Sequence, residues 1–221
     1  LSVCALVAAG LTLLVACGGG GGSAEKPGST GAASSTTEES TTEASTTEAS
    51  PAAVETFDPE DVLFGLSEMP TGWVKDPNDD GDDDALCGTH LFKSAQADAE
   101  VSYSQQGELP QLAERVGVFA PGGAAKALAA TKKKYDGCSG EQRNGFEWTV
   151  TPVSFPSLGE ESYAYLATAE ADGERIGALF TVMRSGDGVV GVAYGELGEV
   201  DAAAAEDYAR RAIARLEAAQ S

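Results

Sequence analysis

The chain has 221 residues, and its 14 Lys plus Arg against 35 Asp plus Glu leave a formal charge of -21. That balance repels phosphate backbones and anionic lipid heads, so it argues against nucleic acid as a partner and against a basic helix lying on a membrane surface; its plainest consequence is solubility. Residues 55 to 221 have the length of one ordinary domain, and the residues before them have a different composition.

Residues 1 to 16, LSVCALVAAGLTLLVA, carry no charge and are almost wholly apolar, matching the apolar stretch of an export signal and falling short of a comfortable membrane span. No Met or basic residue precedes them, so the sequence is expected to start inside the leader or at an alternative start. Leu14-Val15-Ala16-Cys17 resembles the bacterial lipobox. The resemblance implies cleavage before Cys17, a diacylglycerol on its thiol and acylation of the freed amine, with palmitate-type chains holding the protein to the outer face of the plasma membrane. Each buried methylene contributes about 0.8 kcal/mol to such an anchor. Cys4 falls in the removed segment. The competing readings are a fortuitous Cys in a secreted protein and a buried N-terminal helix.

Residues 17 to 54 form the next segment, dominated by Gly, Ser, Thr, Ala and Glu and without an aromatic residue; TTEESTTEASTTEAS, at 36 to 50, repeats every five residues. Such a stretch buries too little to offset the entropy of ordering its backbone, so it is expected to be a disordered tether spanning roughly 30 to 37 Å. Its Ser and Thr density also suits O-linked sugars.

The folded part begins with FDPEDVLFGL, 57 to 66, where Asp58 as N-cap and Pro59 at the first position predict a short helix. Pro70 and Gly72 then turn the chain. Alternation of apolar residues predicts strands over Val101 to Gln105 and Leu112 to Phe119, a strand with Phe146, Trp148 and Val150 on one face, and another with Tyr163, Tyr165 and Ala167 on one face. Asp172-Gly173 and SGDG at 185 to 188 predict tight turns, so the strands between about 161 and 197 form an antiparallel meander. Two helices are predicted: one with Ala124, Ala127, Leu128, Thr131 and Tyr135 as its buried stripe, and one capped by Asp201 that buries Ala205, Ala209, Ile213 and Leu216. The expected class is α+β, an antiparallel sheet with helices packed on one face.

After Cys17 only Cys87 and Cys138 remain, and exported thiols meet oxidants, so a disulfide between them is expected; the chain-entropy model gives it about 4 kcal/mol. A reactive or metal-binding pair competes weakly, because His90 is the sole histidine. With one histidine there is no Ser-His-Asp or Cys-His arrangement, and no catalytic residue is assigned. DPNDDGDDDALC, 76 to 87, places Asp76, Asn78, Asp80 and Asp84 at positions one, three, five and nine of a calcium loop, with Gly81 at six and Asp82 beside them. Position twelve is Cys87, where a bidentate Glu belongs, so the loop is read first as solvated acidic chain and second as a calcium site. Trp73, Phe92, Tyr103, Phe119, Phe146 and Trp148 are read as core, with a pocket lining as the alternative.

The series LSEMPTGW at 66 to 73, Cys87-Gly88, VGVFAPGGAAKALAATKKKYDGC ending at Cys138, FPSLGEES at 155 to 162 and VMRSGDGVVGV at 182 to 192 resembles actinobacterial lipoproteins with a PknH-like extracellular sensor domain, over about residues 58 to 218. The resemblance implies an α+β domain with an antiparallel sheet and a cleft proposed for ligand binding. Two disulfides are expected in the kinase-linked domain and one is available here. No binding residue carries over.

The leading functional reading is a noncatalytic sensor or ligand-binding domain, lipid-anchored outside the cell, for a small molecule or envelope component. Any signal would need a partner, since a lipid anchor transmits no conformational change inward. The alternatives are an envelope structural or protein-interaction module and, less favoured, a carboxylate-based cell-wall hydrolase.

Overall fold

The computed structural model describes residues 57–77, 86–143 and 145–221; the signal residues, Cys17 and the linker lie outside these. Helix α1, Pro59–Val62, is capped by Asp58, whose carboxylate accepts from the Glu60 amide at 3.0 Å. It is shorter than the 57 to 66 segment predicted. Leu63 and Gly65 are extended, the side chains of the sheet take up the backbone groups of Phe64, and a 3-10 turn, Leu66–Glu68, follows.

Eight strands form one antiparallel sheet: β1 Trp73–Lys75, β2 Ala97–Gln105, β3 Glu108–Val118, β4 Gly140–Arg143, β5 Phe146–Val153, β6 Glu161–Ala171, β7 Glu174–Ser185 and β8 Gly188–Leu197. Their spatial order is β1-β2-β3-β8-β7-β6-β5-β4. The chain builds β1 to β3, crosses in helix α2, Gly123–Asp136, to the far edge, and meanders back until β8 lies against β3. Helix α3, Ala202–Ala219, follows, with Asp201 accepting from the amides of Ala203 and Ala204.

The predicted meander is present, and Asp172 and Gly173 both adopt positive φ, 53° and 83°, as a two-residue hairpin of that hand requires. Gln106 and Gly107 do the same between β2 and β3. The short strands β1 and β4 were not foreseen, because three residues and a polar GEQR carry too little alternation.

The α+β class stands, but the two long helices do not share a face. Antiparallel partners point to the same side, so the registers sort the core into two layers. On one side Leu112, Val116, Leu179, Met183, Val190, Val192 and Tyr194 meet Tyr208, Ala209, Ala212, Ile213 and Leu216 of α3. On the other, Tyr163, Tyr165, Ala167, Val182 and Val189 meet Ala124, Leu128 and Tyr135 of α2. The physical reason is visible in β6 to β8, which are apolar on both faces and so need cover on both.

The Cys87–Cys138 disulfide is formed as expected, with Cα atoms 6.0 Å apart, and ties the segment before β2 to the end of α2. Around it the Cys87 amide donates to Glu141 Oε2 at 2.9 Å, and the Tyr135 ring stacks on Tyr165 at 4.5 Å. Among the described residues no helix is long and apolar enough to cross a membrane.

Candidate functional site

Strand β3 reads ELPQLAERVGV, and its alternation aims Leu112, Glu114 and Val116 at the α3 side. A carboxylate therefore occupies the middle of an apolar row. Glu114 is 1% exposed, between two residues at 0%. Burying it without partners would be prohibitive, and half of that requirement is met: Oε2 accepts from the Phe64 amide at 2.7 Å. Oε1 has no hydrogen-bond partner among the described residues.

Phe64 belongs to the strap, residues 63 to 65, between α1 and the 3-10 turn. Its carbonyl accepts from the Tyr103 hydroxyl at 2.7 Å, so β2 and β3 grip one residue by both of its backbone groups. Arg215 of α3 fastens the flanking chain: Nε donates to the Val62 carbonyl and Nη2 to the Leu63 carbonyl, each at 2.6 Å, while Nη1 meets Glu68 Oε2 at 2.6 Å. The Phe64 ring lies edge-on to Tyr208 at 6.0 Å, with the Arg211 guanidinium 4.9 Å from its centre. Trp73 and Tyr194 pack on Tyr208 from either side.

Two carboxylates of this cluster are driven apart. Burial pushes Glu114 up to about 7, against the pull of the Phe64 amide and Arg215 and with the help of the Glu68 charge. Partial burial also pushes Glu68 up, but the Gly65 amide, the Arg215 bond and the charges of Arg215 and Arg211 outweigh it and hold Glu68 below its usual value.

The register carries the polar row further. Glu114 pairs with Val192, and Val192 with Thr181, placing Thr181 on the same face two strands away, about 10 Å by strand spacing. Thr181 is 1% exposed and its hydroxyl has no partner among the described residues. The α3 side of the sheet thus encloses two polar side chains that the fold does not satisfy by itself. Reasoning from sequence missed both. A charged residue at an inward position of an alternating strand was the available signal.

The six aromatic residues considered together do not form one lining. Trp73 and Tyr103 lie on the α3 side, whereas Phe92, Phe119 and Trp148 lie on the α2 side. Of the five candidate calcium ligands only Asp76 is described; its Oδ2 accepts from Gln111 Nε2 at 3.1 Å, and Asn78, Asp80, Asp82 and Asp84 lie outside the described residues. Cys87, at the twelfth position, is committed to the disulfide. Among the described residues no group of three or more His, Cys, Asp or Glu is arranged to hold a metal. His90 is exposed at the start of the 3-10 turn Leu91–Ser94.

No family model and no curated protein matches this chain. Among solved structures it is similar to the extracellular domain of PknH from Mycobacterium tuberculosis, at 15% identity over 58% of this chain and 69% of that one, with a TM-score of 0.47. It is also similar to LpqN, involved in cell envelope biogenesis of Mycobacterium tuberculosis, at 14% identity over 66% of this chain and 76% of that one, with a TM-score of 0.21.

Proposed function

We propose that this chain is a lipoprotein of the outer face of a bacterial plasma membrane, acylated at Cys17 and tethered through residues 17 to 54. Its domain, residues 55 to 221, would then serve as a noncatalytic sensor or binding module for a small molecule or envelope component. The observation that carries the binding role is Glu114: a buried carboxylate with one oxygen left over, beneath Phe64, whose two backbone groups are both taken up by side chains of the sheet. Buried polar groups without partners are costly, and they concentrate where a protein binds or switches. The compartment is supported by the Leu14 to Cys17 pattern and by the Cys87–Cys138 bond, since such bonds persist in oxidising surroundings.

The split between Glu114 and Glu68 also resembles the way an acid and a base are set apart in hydrolases. Geometry favours the binding reading instead. Glu114 is sealed under Phe64 while the strap is closed, and Glu68, exposed at the surface, is committed to the Gly65 amide, Arg211 and Arg215, so the two do not face a substrate together as a free acid and base.

Native mass spectrometry of the protein extracted from its own membrane tests this reading. The expected result is a diacylglyceryl increment on the peptide beginning at Cys17, together with a retained ligand that is lost in Glu114→Leu. Recovery of an unacylated chain, or of a ligand that survives that substitution, would overturn it.

A further inference from the structure

We propose that the segment from α1 through Met69 is a proton-operated latch, closed over protonated Glu114 and released when that carboxyl ionises. The proposal rests on the Glu114 site described above and adds to it a means of opening.

Three features support it. The segment has few bonds of its own: α1 is a single turn, Gly65 bonds to Glu68 in the 3-10 turn, and Leu63 and Phe64 are held by Arg215, Glu114 and Tyr103, each from a different element of the domain, while Val62, Phe64 and Met69 bury their side chains in the core. Next, the closed state leaves Glu114 Oε1 without a partner, which is tolerable for a neutral carboxyl and expensive for a charged one. Finally, ionising Glu114 with the strap shut is opposed by burial more strongly than the Phe64 amide assists it, so the balance tips within the physiological range. Lifting the strap returns the carboxylate to water.

The groups that face this carboxyl do not supply a rival switch. From the 3-10 turn Glu68 faces it and is held ionised. From α3 come the guanidinium groups of Arg211 and Arg215 and the hydroxyl of Tyr208, which burial pushes above the ordinary tyrosine range. The Tyr103 hydroxyl of β2 donates a hydrogen bond to the Phe64 carbonyl, and Tyr194 of β8 is raised by burial and by its bond to Glu196. On α1 itself Glu60 and Asp61 are exposed.

Hydrogen exchange of the intact protein, read on peptides covering residues 57 to 69 at pH 5.5 and 8.5 and corrected for the intrinsic rate, tests the latch without any ligand. Protection of these amides is expected to fall as pH rises, by at most roughly 30-fold between these two pH values, since about tenfold of the roughly 300-fold set by the distance from 4.5 to about 7 is already spent at pH 5.5. Glu114→Gln should abolish the pH dependence. Tyr103→Phe should loosen the strap at both pH values and keep it. Should Glu114→Gln fail to fold, Glu68→Gln serves instead: it removes a neighbouring negative charge, so the transition should persist at lower pH. Uniform protection in the unsubstituted protein, dependence that survives Glu114→Gln, or dependence that vanishes in Glu68→Gln would each overturn the proposal. Because no ligand enters the assay, loss of the latch is distinguishable from loss of the binding role.

Discussion

The two faces of the sheet are built to different rules. On the α2 side, a tyrosine stack and the Tyr165 hydroxyl donating to Asp136 at 2.7 Å fasten the helix to β6, and a covalent bond ties its end to the segment before β2. On the α3 side, an apolar helix stripe packs well at the centre, but one end is closed by a strap whose contacts run through a buried acid. The contrast separates permanence from reversibility: one face is stapled and the other is buttoned, and only the second can respond to conditions without breaking a bond.

The sharpest break of this contrast is at the staple. Replacing Cys87 and Cys138 by Ser should cost about 4 kcal/mol, read as a fall in denaturation midpoint, and should leave the pH response of the strap in place. Next comes the button. Glu114 has a folded pKa raised from 4.5 to about 7, so its stabilising contribution is complete below 4.5 and is lost as pH climbs through about 7, by at most about 3 kcal/mol. Glu114→Gln should flatten that part of the stability curve in urea titrations across pH.

Packing on the α2 side gives a smaller effect. A Cβ at Gly117 would stand 2.7 Å from the Phe92 ring, so Gly117→Ala should destabilise by about 1 to 3 kcal/mol at every pH. Smallest, Tyr103→Phe should cost about 1 kcal/mol, the usual worth of one hydrogen bond, and appear mainly as faster exchange in residues 57 to 69.

Much of the fold was legible where the chain makes local statements. Asp58 before Pro59, Asp201 before an alanine-rich stripe, and Asp172-Gly173 between alternating runs each specify a structure within a few residues. The layer arrangement was harder to see. Tyr163, Tyr165 and Ala167 make one apolar face of β6, but the apolar Ala164 and Leu166 between them demand a second cover, which a one-faced alternation does not express. The site was less legible still. Glu114 is one of many acidic residues in the sequence, and what makes it different is Phe64, fifty positions away, whose amide reaches it only through the fold.

The position of β8 has a consequence for how the molecule comes into being. The last strand to be synthesised lies in the interior of the sheet, where Gln111 pairs with Gly195 and Val118 with Gly188. Until it arrives β3 has an open flank, and α3, which packs on β7 and β8, comes later still. Such distant pairing is slow to form, so a polypeptide emerging N-terminus first stays uncommitted until nearly its whole length is available.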